Sequence, residues 1–171
     1  KLYICVGNVS GKGVPASMTM AVAVNLFRSV AKEGFTPAQI AMQINKTLSV
    51  DNENSIFVTM FIAEIDLETG RMDFCNAGHN SPVIVNNQLK PGNPNRAKYI
   101  DMESNAPVGL WPELEYVGES IDNIKGYTLL VYSDGLTEAE NEEQEQHGEK
   151  RLLELMRNDE FVNAESTVNM I

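Results

Sequence analysis

The chain has 171 residues, 43% of them hydrophobic, which suits one globular domain with a sizeable core. Its 24 acidic and 13 basic residues give a formal net charge of −11, which repels nucleic acid and anionic membranes and argues against both as partners. Cys5 and Cys75 show no spacing typical of a disulfide framework or a zinc site, and no run reaches the roughly 18 apolar residues of a membrane span, so a cytoplasmic location is expected.

The first element is a strand at residues 2–6, predicted to be buried because it is almost wholly apolar. A glycine-rich turn at residues 7–13 follows, and Pro15 suits the first turn of a helix that runs to about Lys32. The chain begins inside a strand, and residues 163–171 resemble a helix without a stop signal. We therefore expect residues 1–171 to be a single domain truncated at both ends.

Gly34 ends the first helix, and Thr36 with Gln39 has the spacing of a capping box for a second helix that runs to about Ser49. Residues 57–65 and 71–76 are rich in β-branched, aromatic and aliphatic side chains and are separated by a turn sequence. This pattern predicts an antiparallel hairpin.

The second half of the chain predicts a strand at residues 83–85, a loop to Arg96, and strands at residues 116–119 and 127–132. The strand at 127–132 is apolar on both faces, which predicts a central position in its sheet. The acidic run at residues 138–149 is interpreted as a solvated loop, and a short helix is predicted at residues 148–157.

The order of these elements favours an α+β fold. Helices cluster near the front, hairpins lie in the middle, and strands and helices do not strictly alternate. We predict largely antiparallel sheets, with a parallel doubly wound sheet as the alternative.

The turn Gly7-Asn8-Val9-Ser10-Gly11-Lys12-Gly13 is the first candidate for function. It lacks one residue of the phosphate-loop spacing and has glycine where serine or threonine should follow Lys12, so nucleotide binding is disfavoured. Its small residues would bring backbone carbonyls and the Asn8 side chain close to a cation. Alternatively, the glycines only provide a sharp strand-to-helix turn.

Asp134 is the second candidate because it directly follows an apolar strand and precedes Gly135. A turn-capping role is the commoner explanation for an isolated Asp-Gly pair. If Asn8 and Asp134 end neighbouring strands, they could converge on one site, and two such oxygen ligands suit Mg²⁺ or Mn²⁺ better than Zn²⁺.

Four further residues, His79, Cys5, Cys75 and Trp111, are candidates for a chemical or binding role. His79 could be a ligand or an acid, but it has no partner at metal-ligand spacing and is interpreted as a structural turn residue. Neither cysteine has a nearby basic residue that would favour a thiolate nucleophile. Trp111 is interpreted as a packed loop anchor, with a surface aromatic for a partner as the alternative.

Five motifs in order resemble the metal-dependent protein phosphatases (PPM-type) of the bacterial stage II sporulation protein E class, and together they span nearly the whole chain. They are Gly-Asn-Val-Ser-Gly-Lys-Gly-Val-Pro-Ala (7–16), Phe-Val-Thr-Met-Phe (57–61), Asn-Ala-Gly-His-Asn-Ser-Pro (76–82), Ala-Pro-Val-Gly-Leu (106–110) and Tyr-Ser-Asp-Gly-Leu-Thr-Glu (132–138).

The resemblance implies a sandwich of two antiparallel β-sheets flanked by helices (α-β-β-α layers), with two Mn²⁺ or Mg²⁺ ions. The implied reaction is hydrolysis of a phosphoserine or phosphothreonine ester by metal-activated water. The implied partner is a phosphorylated anti-sigma-factor antagonist, so the pathway is sigma-factor regulation. A sensor module would lie outside these residues, and pairing of chains through exposed strand edges is compatible with the sequence.

The resemblance also implies the site residues. Position 8 should be a bridging aspartate, Val9 should offer its backbone carbonyl, and Asp134 should hold one metal. The supporting loop residues are Gly7, Ser10, Gly11, Gly13, Ser133 and Gly135.

This chain departs from the implied pattern at position 8, which is asparagine. Two further acidic ligands of the class belong to segments upstream and downstream of these residues. One carboxylate and one amide offset the repulsion between two divalent cations poorly. We therefore predict weak metal binding and slow phosphoester hydrolysis. A phosphatase-like module that binds a phosphorylated partner without turnover is the alternative.

Overall fold

The computed structural model describes residues 1–50, 52, 55–140, 144, 146–161, 163–169 and 171. Its strands are β1 (Leu2–Val9), β2 (Val58–Ile65), β3 (Met72–Ala77), β4 (Val83–Asn86), β5 (Ala97–Tyr99), β6 (Glu119–Ile121) and β7 (Tyr127–Leu130). Its helices are α1 (Val14–Val30), α2 (Pro37–Leu48), α3 (Asp134–Thr137), α4 (Gly148–Asn158) and α5 (Ala164–Val168). The chain divides into two compact units.

Unit 1 contains Lys1–His79 and Met102–Ile124 and holds a four-stranded antiparallel sheet in the order β1-β2-β3-β6. The predicted hairpin is confirmed as β2 and β3. Its turn is stabilised by the Asp66 carboxylate, which accepts hydrogen bonds from the backbone N–H groups of Glu68 and Thr69. These bonds lower the pKa of Asp66 because they favour its charged form.

Strand β1 differs from its prediction. It was expected to be buried and to end at residue 6, but it extends to Val9 and forms one edge of the described sheet. Leu2 is 45% exposed, and the rest of the strand is only partly buried. The apolar run therefore predicted the strand correctly but not its position at the edge of the sheet.

Helices α1 and α2 provide the apolar cover of this sheet. The capping box of α2 is confirmed: Thr36 Oγ1 accepts from the Gln39 N–H, and Gln39 Oε1 accepts from the Thr36 N–H. Ile40 and Ile44 are fully buried in a core shared with Val58, Ile62 and Ala23 of α1. Helix α1 ends slightly earlier than predicted, and a single 3-10 turn carries the chain to Gly34, whose φ of 78° ends the helical segment.

Unit 2 contains Asn80–Asp101 and Lys125–Ile171 and holds a three-stranded antiparallel sheet in the order β5-β4-β7. Helix α4, which confirms the predicted helix at residues 148–157, buries Leu152 and Met156 against Val83, Val85 and Ala97.

Two predictions for the later strands were wrong, and one strand was not predicted. Strand β7 pairs only with β4 among the described residues, so it is an edge strand rather than a central one. The strand expected at residues 116–119 is instead β6, which begins three residues later, and strand β5, which directly follows the loop expected to end at Arg96, was not predicted. In each case the position follows from pairing with a distant strand rather than from local sequence.

The described glutamates of the acidic run are exposed to solvent, as the prediction of a solvated loop requires. Glu138, Glu140 and Glu149 are exposed. The remaining glutamates of the run, Glu142, Glu143 and Glu145, lie outside the described residues.

Two antiparallel sheets with helices confirm the α+β class. Among the described residues, the helical segment Val14–Glu33 is long and apolar enough to cross a membrane, with 20 residues and a window whose mean hydropathy is 1.2. Such a segment was not predicted from the sequence. Mostly buried core helices pass the same test, but only 11% of this window is buried, with Ala23 in the core of unit 1 and Val14 and Met18 exposed.

Candidate functional site

The glycine-rich turn after β1 is a tightly hydrogen-bonded strand-to-helix connection. The Ser10 backbone N–H donates to the Phe57 carbonyl, and Ser10 Oγ accepts from the Phe57 N–H, both at 2.8 Å. Gly11 and Gly13 have φ values of 84° and 81°, a backbone region that side chains other than glycine enter at a cost. The Gly13 carbonyl accepts from the N–H and hydroxyl of Ser17, both at 3.1 Å, so Gly13 is the N-cap residue of α1.

Asn8 lies in β1 directly opposite Thr59 of β2, one residue before Val9 ends the strand. The Thr59 hydroxyl donates to the Asn8 carbonyl at 3.3 Å and lies 3.0 Å from His79 Nδ1. Because a hydroxyl has one hydrogen, donation to Asn8 leaves Thr59 to accept from a protonated Nδ1 of His79. Asn8 is thus linked to His79 through one hydroxyl.

His79 lies in the loop that follows β3, and it is only 5% exposed. Its backbone N–H donates to Asn76 Oδ1 at 2.8 Å, and its carbonyl accepts from Asn76 Nδ2 at 2.9 Å. Sequence reasoning treated His79 separately from the glycine turn and did not identify Thr59 as a link. One signal was available, since Thr59 is the only polar residue between Ile56 and Ala63.

Gly7 lies where β1 and β2 approach closely. A Cβ at this position would lie 2.7 Å from the Thr59 carbonyl oxygen, a distance that requires the strands to shift. We expect Gly7→Ala to lower the free energy of unfolding by about 1–3 kcal/mol, as overpacking usually does. Gly135→Ala is the matched control, because its nearest contact is Ser133 Oγ at 3.9 Å. Urea unfolding of both variants measures the effect, and equal stabilities would contradict it.

Asp134 begins the short helix α3 in unit 2, with Ser133 as its N-cap residue. Its Oδ1 accepts from the Gly135 N–H at 2.9 Å, and its carbonyl accepts from the Thr137 hydroxyl and the Glu138 N–H. Ser133, not Asp134, occupies the N-cap position, and the Asp134 carboxylate binds the N–H of the next residue. The Asp134 side chain is partly exposed, so it remains accessible to a ligand.

The donor set at these positions does not fit a two-metal centre. Asn8 offers a neutral amide and Val9 a backbone carbonyl, which leaves Asp134 as the one carboxylate among the predicted ligands. Within the described ranges, no group of three or more His, Cys, Asp or Glu side chains is placed to hold a metal. Two divalent ions require more negative charge than one carboxylate supplies.

The cysteines are poor candidates for a covalent mechanism. Burial raises the pKa of Cys5 to about 12. Burial, with a smaller contribution from the Glu119 charge, raises the pKa of Cys75 to about 12. Since the thiolate is the nucleophile, both thiols are inert near neutral pH.

The fold of the chain is that of a PP2C phosphatase domain. The PP2C phosphatase domain of the cell fate determinant SpoIIE from Bacillus subtilis aligns with a TM-score of 0.75 and 19% identity, covering 98% of this chain and 47% of that one. RsbX in complex with magnesium aligns with a TM-score of 0.59 and 16% identity, covering 78% of this chain and 60% of the other. At these identities the likeness concerns the fold alone.

The sequence places the chain within this class more narrowly. It matches the Stage II sporulation protein E (SpoIIE) family over residues 1–171, and the chain belongs to that family. The phosphoserine phosphatase RsbU of Bacillus subtilis (strain 168) is 27% identical over 142 residues, which are 82% of this chain and 40% of RsbU. This chain therefore spans well under half the length of that relative.

Proposed function

We propose that this chain is a protein serine/threonine phosphatase domain that acts on a phosphorylated sigma-factor regulator of the anti-sigma-antagonist type. Membership of the SpoIIE family, the PP2C fold and a relative named as a phosphoserine phosphatase support this proposal. The domain would work in the cytoplasm under control of a sensor domain elsewhere in the protein, with pairing of chains through strand edges as a further element of the proposal.

We further propose that Asn8, the Val9 carbonyl and Asp134 are the metal-binding positions of this chain, and that Mn²⁺ or Mg²⁺ binds them weakly. A magnesium complex of a protein with the same fold supports a divalent cation. The proposal that metal binding is weak rests on Asn8. Its amide, near the end of β1, adds no charge where the family resemblance implies a carboxylate.

Two measurements test the proposal together. Isothermal titration calorimetry with MnCl₂ should give weak binding, and release of phosphate from a phosphoserine peptide should be slow and dependent on Mn²⁺. Tight binding of two Mn²⁺ ions with rapid turnover would contradict the proposal that metal binding is weak. Complete absence of Mn²⁺-dependent hydrolysis at saturating metal would overturn the phosphatase function.

Asn8 also favours a second function, a module that binds a phosphorylated partner without hydrolysing it. The two functions differ in one observable. A binding module would retain a phosphopeptide in a pull-down with Mn²⁺ and leave its phosphate intact after prolonged incubation, whereas a slow enzyme would release phosphate in proportion to its own concentration.

A further inference from the structure

Unit 2 contains a cavity of about 360 Å³ between the loop that leads into β5 and helix α4. Of the residues that the structure describes, three with basic side chains, Arg96, Lys98 and Arg157, line it, and none with a carboxylate does. This contrasts with a chain that carries 24 acidic and 13 basic residues. Residues 74–100, which supply Ile84 to Tyr99 of the lining, also contain no acidic residue.

Arg96 is the most buried of these groups, at 3% exposure. Its Nη1 donates to the carbonyls of Met156 and Arg157, both at 3.0 Å, and its guanidinium lies 5.3 Å from the centre of the Phe161 ring. These contacts place the cation at the C-terminal end of α4, where the helix dipole favours positive charge. A purely structural role as a helix cap explains this much.

The structural role leaves two donors unexplained. The Nε atoms of Arg96 and Arg157 are both buried and have no hydrogen-bond partner among the described residues. Arg157 uses Nη2 to donate to the Ala97 carbonyl at 3.3 Å. Nor does either arginine form an ion pair within the described part of the chain.

Two adjacent arginines that lack a counter-ion are costly in a partly buried setting. The Arg96 guanidinium donates to the Arg157 carbonyl, so the two residues are in direct contact. Buried charge is normally paired, and buried donors are normally satisfied. An anion in the cavity would offset the unpaired positive charge, and guanidinium groups bind phosphate with favourable geometry.

We propose that this cavity binds a phosphorylated small molecule. The phosphate would lie against Arg96, Lys98 and Arg157, and an apolar or aromatic body would pack against Pro94, Tyr127 and Leu153, which also line the cavity. The volume is within the range of small-ligand sites. None of the residues predicted for metal binding lines it, so the inference stands independently of the proposed phosphatase function.

Calorimetric titration with phenyl phosphate and with inorganic phosphate tests this site, in buffer with EDTA so that metal-held phosphate does not contribute. Saturable binding of phenyl phosphate, tighter than that of inorganic phosphate, is expected. Lys98→Glu should weaken it by about tenfold or more, the loss of a charge-assisted contact. Lys98 is exposed, so this change leaves the core intact.

Lys90→Glu is the matched control, since Lys90 is exposed on the same segment but does not line the cavity. It should change affinity by less than about twofold, because exposed charges interact weakly across solvent. Thermal melts establish that both variants are folded. Equal weakening by the two changes, or no saturable binding of phenyl phosphate at millimolar concentration, would overturn the site. Equal affinity for phenyl phosphate and inorganic phosphate would contradict the proposed packing of an apolar group against Pro94, Tyr127 and Leu153.

Discussion

Asn8→Asp is expected to raise both Mn²⁺ affinity and Mn²⁺-dependent phosphatase activity, each by at least about tenfold. The change is nearly isosteric, so β1 should keep its pairing with β2, in which position 8 faces Thr59. What changes is charge. A carboxylate attracts a divalent cation where an amide offers only a dipole, and this attraction is strongest when the cation is partly shielded from water.

A control of equal charge separates a local effect from a general one. Asn25→Asp makes the same change on the exposed face of α1 in the same unit, and it should alter metal affinity little because solvent screens it. Calorimetry with MnCl₂ and phosphopeptide turnover should be run on both variants. If Asn8→Asp and Asn25→Asp behave alike, position 8 is not a ligand position, and the binding-module alternative loses its main support as well.

The parts of the fold that sequence predicted well are those with local signals. The β2–β3 hairpin is rich in β-branched, aromatic and aliphatic residues and has the turn that Asp66 stabilises, and α2 has Thr36 and Gln39 at capping-box spacing. Both sets of contacts join residues at most three positions apart. Strand β5 has no such local signal. Its three residues are held by pairing with β4, which is distant in sequence, so that Val83 lies opposite Tyr99.

The candidate site shows the same division. The glycine turn could be located from sequence because Gly11 and Gly13 have the positive φ values that tight turns require. The link from Asn8 through Thr59 to His79 could not, because it depends on the register between β1 and β2 and on the loop after β3. Arg96 was missed for another reason, since arginine is normally exposed and nothing in its neighbours indicates burial.

Asn45→Ala is expected to lower the free energy of unfolding by about 2–4 kcal/mol, a large effect for one polar side chain. Asn45 lies on α2 and is fully buried. Its Nδ2 donates to the Trp111 carbonyl, and its Oδ1 accepts from the Gly109 N–H, both at 2.8 Å. Truncation leaves the Gly109 N–H unsatisfied and removes the stronger of two donors to the Trp111 carbonyl, which still accepts from the Leu114 N–H at 3.3 Å. Urea unfolding measures the loss.

The same contacts correct the interpretation of Trp111. The indole was expected to anchor the loop by packing, but Trp111 is 60% exposed, and the anchor is its carbonyl bound to Asn45. Trp111→Ala should therefore cost far less stability than Asn45→Ala, within about 0.5 kcal/mol of the parent, as for most surface changes. The exposed indole leaves the alternative of a partner-binding aromatic open.

Asn45→Asp tests the hydrogen-bond explanation through pH. The acid can accept from the Gly109 N–H, but it donates to the Trp111 carbonyl only when protonated, so burial should raise its pKa in the folded state above the unfolded value of about 3.9. The folded state then binds more protons than the unfolded state, and stability should fall as pH rises above about 4. A pH-independent loss, or an Asn45→Ala cost below about 1 kcal/mol, would show that the loop relaxes and satisfies these groups in another way.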